Sequence, residues 1–245
     1  MIGIILAGGY AKRLWPLTFD NPKPLLPVGG KAIIDYALDA MVSSNSIIRK
    51  VVVLTNSRFR PQFEDWAQNK AEHEIEIVPD GSLSEGEKPG AIGALASMSA
   101  RIGEEFLVIA GDCVYPGGLE GLLRSFQEKK APVIGIYHSA EIDQVERGSA
   151  IELGADNIIA NFVEKPEHPN TDLAGAVMYA FPRRTSDRLK LYFELGLPRD
   201  EPGRFIEWLH KKENVYGYLL DSVVWDIGTL EAYERINRIL SAIKT

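Results

Sequence analysis

The chain has 245 residues, 45% of them hydrophobic and 25% charged, enough for one large α/β domain with a sizeable core. A formal net charge of −7 excludes a general affinity for nucleic acid or an anionic membrane, so an anionic substrate must be met by locally placed Arg and Lys. The single cysteine, Cys113, excludes an internal disulfide and fits a reducing compartment; with no apolar stretch near the ~20 residues of a membrane span and an N-terminal apolar run too short for a signal peptide, the chain is expected in the cytoplasm.

Residues 2–6 are an apolar run that predicts a first buried strand, and it opens into Gly8 and Gly9 and then a basic, proline-punctuated loop. Ile34, Ala37, Leu38 and Met41 recur at helical spacing, which predicts an amphipathic helix over 32–43. The β-branched run 51–55 predicts a second buried strand, and Phe63, Trp66 and Ala67 place a helix over 59–70. Residues 74–78 alternate as a third strand. The stretch PDGSLSEGEKPG after it is a polar loop of the kind that carries function at strand ends. Leu95, Met98 and Ile102 align along a helix over 91–102, and 106–110 is the most continuous apolar strand, ending in Gly111 and Asp112. Strands alternating with helices predict a parallel sheet with crossover helices. In such a sheet ligands gather at the carboxyl ends of the strands, so Asp112 and Gly8 are expected along one edge.

The second half changes character. Runs at 132–138, 149–153, 158–163 and 174–181 read as strands with no helices between them, so antiparallel strands are expected to join the sheet there. Helices are predicted over 183–195 and 203–211 and a strand over 215–220. The run 223–226 leads into a last helix with Leu230, Tyr233, Ile236, Leu240 and Ile243 on one apolar face. The expected fold is α/β with a Rossmann-like mixed sheet, mostly parallel in its first half with crossover helices and with antiparallel additions in its second.

The glycines at 8 and 9 lack a Cβ, so the backbone there can take positive φ and let N–H groups approach an anion closely. Arg13 can grip phosphate oxygens through its planar fork, and Lys23 offers a compact charge on a flexible stem. Pro16, Pro22, Pro24 and Pro27 fix φ and stiffen the loop between them. The pattern is neither the Walker loop G-x-x-x-x-G-K-[ST] nor the dinucleotide turn G-x-G-x-x-G. An ordinary turn with surface Arg and Lys is the plain alternative. Asp112 and Asp226 each follow a buried apolar run, where an unpaired carboxylate is costly, and hard oxygen ligands of this kind suit Mg²⁺. The alternatives are that Asp112 pairs with a nearby base and that Asp226 caps the last helix, for which Thr229 is an equally good cap.

LAGGYAKRLWPLT and KPLLPVGGKAIIDY resemble the signature L-A-G-G-x-G-x-R-L-x-P-L-T and K-P-L-L-P-V of the sugar-phosphate nucleotidyltransferases, with Ala11 where the family usually has glycine. VIAGDCVY, WDIGTLEAY, FVEKP at 162–166 and PGAIGAL resemble further motifs of that family, in its order and over almost the whole chain. The resemblance implies that Asp112 and Asp226 hold Mg²⁺ against an α-phosphate, that Arg13 binds the pyrophosphate portion and that Lys23 contacts phosphate oxygens at the reacting end. It implies a nucleotide site that also includes Leu6, Ala7, Gly8 and Gly9, with Gly90 beside the nucleobase and Glu87, near Glu85, where relatives place a residue that reads the base edge. Glu164 would accept hydrogen bonds from sugar hydroxyls, Lys165 would hold the sugar phosphate, and the backbone at Gly148 and Gly175 would approach the sugar. Taken alone, Glu-Lys-Pro is an exposed turn and the two glycines are bulges.

The activity so implied is a sugar-1-phosphate nucleotidylyltransferase, a transferase that makes an NDP-sugar and pyrophosphate from an NTP and a sugar 1-phosphate with Mg²⁺ as cofactor. The expected pair is glucose 1-phosphate with dTTP or UTP; mannose 1-phosphate with GTP and other sugar or alditol phosphates are the alternatives. A single domain over 1–245 is expected, with a nucleotide-binding lobe over about 1–130 and a sugar-binding lobe, with the second metal aspartate, over about 131–245. The expected partners are the two small-molecule substrates, with no nucleic acid and no membrane, and the chain acts as a monomer or small homo-oligomer. The hexapeptide repeats that many larger relatives carry after this domain are missing. Two other classes are a regulatory relative that binds nucleotide-sugars without turnover, which tends to lose the Arg, Lys or Asp positions kept here, and a dinucleotide-dependent oxidoreductase, which the missing fingerprint disfavours.

Overall fold

Most apolar runs become strands and most stretches with helical spacing become helices in the computed structural model, which describes residues 1–43, 47–222 and 224–243, without the side chain of Ile243. The strands are β1 (Ile2–Ala7), β2 (Pro27–Val28), β3 (Lys31–Ala32), β4 (Lys50–Thr55), β5 (Ile75–Pro79), β6 (Phe106–Ala110) and β7 (Cys113–Val114). They continue with β8 (Val133–His138), β9 (Ser149–Leu153), β10 (Ile159–Glu164), β11 (Leu173–Phe181), β12 (Tyr216–Leu219) and β13 (Trp225–Asp226). The helices are α1 (Ile33–Ser43), α2 (Arg60–Gln68), α3 (Ala91–Met98), α4 (Glu120–Lys129), α5 (Ile142–Arg147), α6 (Thr185–Glu194), α7 (Pro202–Leu209) and α8 (Leu230–Ile243).

Seven strands form a mixed sheet in the order β12-β8-β11-β6-β1-β4-β5. β4 and β5 are parallel, as are β12 and β8, whereas β11 runs antiparallel to β8 and β9 pairs antiparallel with β10 in a separate two-stranded sheet. The α/β class and the change of strand direction in the second half agree with the sequence. Two helices do not. α4 lies between β7 and β8, and α5 separates the strands at 133–138 and 149–153 that were expected to follow one another directly. α5 has six residues and a single buried one, Val145, too short a run to show a period. The expected strand start at 223 lies outside the described residues.

The chain divides into two compact units that interleave along the sequence. One comprises Gly3–Lys88, Ile109–Gly118 and Val224–Thr245, and carries the glycine turn; the other comprises Met1–Ile2, Pro89–Val108 and Leu119–Val223, and carries Glu-Lys-Pro.

In the glycine-turn unit, the expected face of α1 is buried in full: Ile34, Ala37 and Met41 are at 0% exposure and Leu38 at 1%. Burying Asp35 on that helix is tolerated because every oxygen is used. Its Oδ1 accepts from Trp66 Nε1 at 2.9 Å and lies 3.1 Å from Lys70 Nζ, and its Oδ2 accepts from the Ala32 N–H at 3.1 Å. α8 packs Ile236 into a cluster with Leu26, Val28, Ile33, Val114 and Ile227, flanked by Tyr36, Trp225, Tyr233 and Leu240. Leu230, expected on the same apolar face, is instead exposed. In the Glu-Lys-Pro unit, Phe181 of β11 meets Phe106 at a centroid distance of 5.2 Å and Phe205 of α7 at 6.0 Å, and Tyr192 of α6 meets Phe205 edge-on at 5.5 Å. Among the described residues no helix is long and apolar enough to cross a membrane.

Candidate active site

The carboxyl ends of β1 and β6 are tied together by one hydrogen bond, from the Gly111 N–H to the Leu6 carbonyl at 2.8 Å. A Cβ at Gly111 would lie 2.6 Å from Ile5 Cγ2 and 3.1 Å from the Leu6 carbonyl oxygen, so the strands reach this approach only because the residue is glycine. The next residue, Asp112, therefore leaves the sheet at the edge where Gly8 also lies, as the sequence predicts. Ala7 sits beside this junction with its carbonyl accepting from Thr55 Oγ1 at 3.4 Å.

The glycine turn keeps its backbone open by a different route from the one expected. Neither Gly8 nor Gly9 adopts positive φ; the left-handed residue is Ala11, at φ 45 and ψ 45. Thr18 Oγ1 donates to its carbonyl at 2.8 Å and helps hold it. Gly9 has nothing within 4 Å of where a Cβ would stand, and the Gly8 carbonyl accepts from Asn56 Nδ2 at 3.2 Å. An alanine in the left-handed region is strained by the clash of its Cβ with the backbone. Ala11→Gly is therefore expected to stabilise the protein by about 0.5–1 kcal/mol, the relief being partly offset by the larger entropy of glycine in the unfolded chain; an unchanged or lower urea midpoint would contradict the strain. Arg13 is exposed, and among the described residues no hydrogen bond or ion pair engages its guanidinium.

Lys23, Asp112 and Asp226 come together. Lys23 is 5% exposed, and its Nζ donates to Asp112 Oδ2 at 2.9 Å and Asp226 Oδ1 at 3.4 Å. The antiparallel pair β7–β13 makes this possible, because its register sets Asp226 opposite Cys113, the neighbour of Asp112. The Leu26–Val28–Ile33–Val114–Ile227–Ile236 cluster anchors the segments that carry all three residues. Burial alone would lower the Lys23 pKa, but the charges of Asp112 and then Asp226 outweigh it and raise it above the ordinary lysine range. For Asp112, burial would raise the carboxyl, and the Lys23 charge and hydrogen bond instead hold it below the usual range. Its side chain is still 43% exposed and that of Asp226 71%, so both acids face solvent and water screens the attraction.

Thr229, not Asp226, caps the last helix: the Ala232 N–H donates to Thr229 Oγ1 at 3.2 Å. Asp226 is thus free of that role. The two carboxylates within reach of one nitrogen fit Mg²⁺, which takes one or two carboxylates and completes its shell with phosphate oxygens and water. Among the described residues no group of three or more His, Cys, Asp or Glu is arranged as a closed metal site. Cys113 Sγ lies 3.8 Å from Asp112 Oδ1 and 3.9 Å from Asp226 Oδ1. Burial first, then those two charges, push its thiol well above its usual pKa, which makes it a poor nucleophile and a poor ligand.

The polar loop after β5 uses its own acids. Glu87 accepts from the Leu83 N–H at 2.8 Å, the bond that chiefly lowers its pKa, and Glu85 pairs with Lys12 at 2.6 Å. The carboxylate that sits against the glycine turn is Asp80, whose Oδ2 would be 3.5 Å from a Cβ at Gly8, while its Oδ1 accepts from the Ser82 N–H and Oγ at 2.8 and 2.7 Å. Gly90 belongs to the Glu-Lys-Pro unit, at φ 79, where a Cβ would lie 2.3 Å from the Arg199 carbonyl oxygen.

In that unit the four expected sugar-phosphate residues meet. The β9–β10 ladder sets Glu164 opposite Ser149, the Lys165 N–H donates to the Gly148 carbonyl at 2.7 Å, and the Gly175 N–H donates to Ser149 Oγ at 3.1 Å. Lys165 itself is left-handed, at φ 50. The Glu164 carboxyl, 9% exposed, packs on Gly203 near the start of α7, where a Cβ would stand 1.9 Å from Glu164 Oε2. Burial pushes Glu164 up to about 7; Arg204 opposes the rise, Glu201 adds to it and Lys165 opposes it. Lys165 Nζ is bonded to Glu201, the residue before α7, and Arg204 Nη1 donates to Glu207 Oε2 at 2.9 Å. Sequence reading passed over Ser149, Glu201 and Arg204. Ser149 directly follows the expected Gly148, but nothing in the sequence couples 201–204 to 164–165.

A family model described as Nucleotidyl transferase matches residues 2–242. The bifunctional protein GlmU of Methanocaldococcus jannaschii is 27% identical over 228 residues, which is 93% of this chain and 51% of that protein, so the chain spans about half the length of that relative. A crystal structure described as a glucose-1-phosphate thymidylyltransferase from Bacillus anthracis, in complex with sucrose, superposes with a TM-score of 0.84 at 21% identity, covering 98% of this chain and 95% of that one. That likeness establishes the fold.

Proposed function

Because the chain belongs to the nucleotidyl transferase family, we propose that it joins a sugar 1-phosphate to a nucleoside triphosphate, releasing pyrophosphate and an NDP-sugar. A phosphate oxygen of the sugar 1-phosphate attacks the α-phosphorus; a new P–O bond forms as the bond from that phosphorus to the β-phosphate oxygen breaks. No general base is required, since the attacking phosphate is already ionised near neutral pH. The observation that carries the reading is the meeting of Asp112 and Asp226, from distant parts of the sequence, at the ammonium of Lys23 beside the β1–β6 edge.

Each group has a task that its position supports. Asp112 and Asp226 would hold Mg²⁺, which supplies positive charge to the α-phosphate when bound. Lys23 keeps its charge at every physiological pH and has one N–H left to donate after meeting the two carboxylates. Arg13, exposed and with no partner among the described residues, takes the pyrophosphate portion. The open backbone at Gly9 admits a phosphate, and Glu164 and Lys165, with Gly148 and Gly175, take the sugar phosphate. Catalysis then consists of alignment and charge neutralisation.

For substrates we propose glucose 1-phosphate with dTTP or UTP, with mannose 1-phosphate and GTP as the competing pair. The deciding experiment is a matrix of nucleoside triphosphates against sugar 1-phosphates with Mg²⁺, read as pyrophosphate release. The expected result is one pair turned over well above the rest. Nucleotide-sugar binding with no release from any pair would make the protein a non-catalytic relative instead.

A further inference from the structure

We infer that Glu201 is a positioning residue for the sugar-phosphate step, acting through Lys165; the inference rests on the function proposed above. Residues 164–165 and 201–203 are clamped at two adjacent points. The Glu164 carboxyl packs on Gly203, where a Cβ would stand 1.9 Å from Glu164 Oε2, and the Lys165 ammonium is bonded to the Glu201 carboxylate. Between those points the backbone of Lys165 is in the left-handed region and is held there by its N–H bond to the Gly148 carbonyl. A lysine stem has four rotatable bonds, and a strained backbone does not by itself fix where the ammonium goes. Glu201 does, because it sits on the rigid start of α7 at the residue before Pro202, with its side chain 27% exposed.

The chemistry permits the clamp to persist with substrate bound. An ammonium carries three N–H donors; Glu201 takes one and leaves two for phosphate oxygens. Other charged groups near the clamp are Arg204, which is hydrogen-bonded to Glu207, and Glu164, which burial keeps largely protonated below neutral pH. Replacing Glu201 by glutamine removes the charge that aims Lys165 without removing any group that touches substrate. The loss falls on the sugar phosphate and leaves the nucleotide unaffected.

The test is steady-state pyrophosphate release by the full chain, starting with glucose 1-phosphate and dTTP or with the most active pair of the matrix. Glu201→Gln is expected to raise KM for the sugar 1-phosphate about tenfold, as loss of one charge-assisted bond does, while KM for the nucleotide and kcat stay within about twofold. Glu201→Asp, which keeps the charge on a shorter arm, should fall between the two. The melting temperature of Glu201→Gln should stay within about 3 °C of the parent, because a partly exposed pair adds little stability. An unchanged or lowered KM for the sugar phosphate, or an equal rise for both substrates, overturns the positioning role. A parent protein that releases no pyrophosphate with any pair overturns the proposed function and this inference with it, whereas an active parent without the split overturns the inference alone.

Discussion

Asp112→Asn and Asp226→Asn should each lower turnover by about 10²-fold or more, the usual cost of losing one stabiliser of transition-state charge. Asparagine keeps the shape and a carbonyl oxygen but removes the negative charge that holds a hard cation and balances Lys23. Because both carboxylates lie within 3.4 Å of one ammonium, losing either leaves the other to carry that balance, so the fold is expected to survive and the loss to appear in kcat. Circular dichroism establishes folding, and initial rates of pyrophosphate release at saturating substrates give kcat. Folded variants that release pyrophosphate at the parent rate would end the assignment of these two residues to the reacting phosphate.

Glu164→Gln should abolish a fall in stability that the parent shows between about pH 4.5 and pH 7. The folded carboxyl titrates at about 7, above its ordinary value of 4.5, because burial disfavours the charged form. The sign follows from the raised value. Across this window the folded state binds the proton more tightly than the unfolded chain, so stability drops as pH rises through it and is fully reduced above the folded pKa. The shift corresponds to about 3 kcal/mol, applicable because the residue is only 9% exposed. Glutamine has no charge to bury, so the variant should lack this loss and be more stable than the parent at pH 8, with any remaining pH dependence coming from other groups such as His210, whose pKa burial lowers. Urea melts at pH 5 and pH 8 measure both, and parallel pH dependence in the two proteins would refute the account.

Much of this arrangement can be read from the sequence, because its causes are local. The helix at 33–43 is visible in the spacing of Ile34, Ala37, Leu38 and Met41, and the site aspartates stand out as acids ending apolar runs. α4 was readable too: Leu119, Leu122, Leu123 and Phe126 recur at helical spacing, and all four are buried. Other features have no local signature. β5 reads as alternating, yet all its residues are half-buried, because a strand at the sheet edge has neighbours on one side only. Glycine permits positive φ without requiring it, so the sequence could not place the left-handed residue at Ala11 rather than at Gly8 or Gly9. Glu85 and Glu87 look free in sequence, whereas Lys12 engages the first and the loop backbone at Leu83 the second. The approach of Glu201 to Lys165 is purely tertiary.

The docking of α8 also sets an order on biosynthesis. Tyr233 donates to the Pro27 carbonyl at 2.8 Å, the Gly29 N–H donates to Asn237 Oδ1 at 2.9 Å, and a Cβ at Gly29 would lie 2.6 Å from Leu240 Cβ. These contacts span more than 200 positions, so the loop that bears Lys23 lacks its packing partner until the ribosome has made α8. By then every residue of the Glu-Lys-Pro unit has been translated. Until then Leu26 and Val28 lack the cover of Ile236, and closing so long a stretch of chain is slow because its entropy is lost before any contact rewards it. An emerging chain therefore gains its packed lysine–aspartate centre only after α8 has been made.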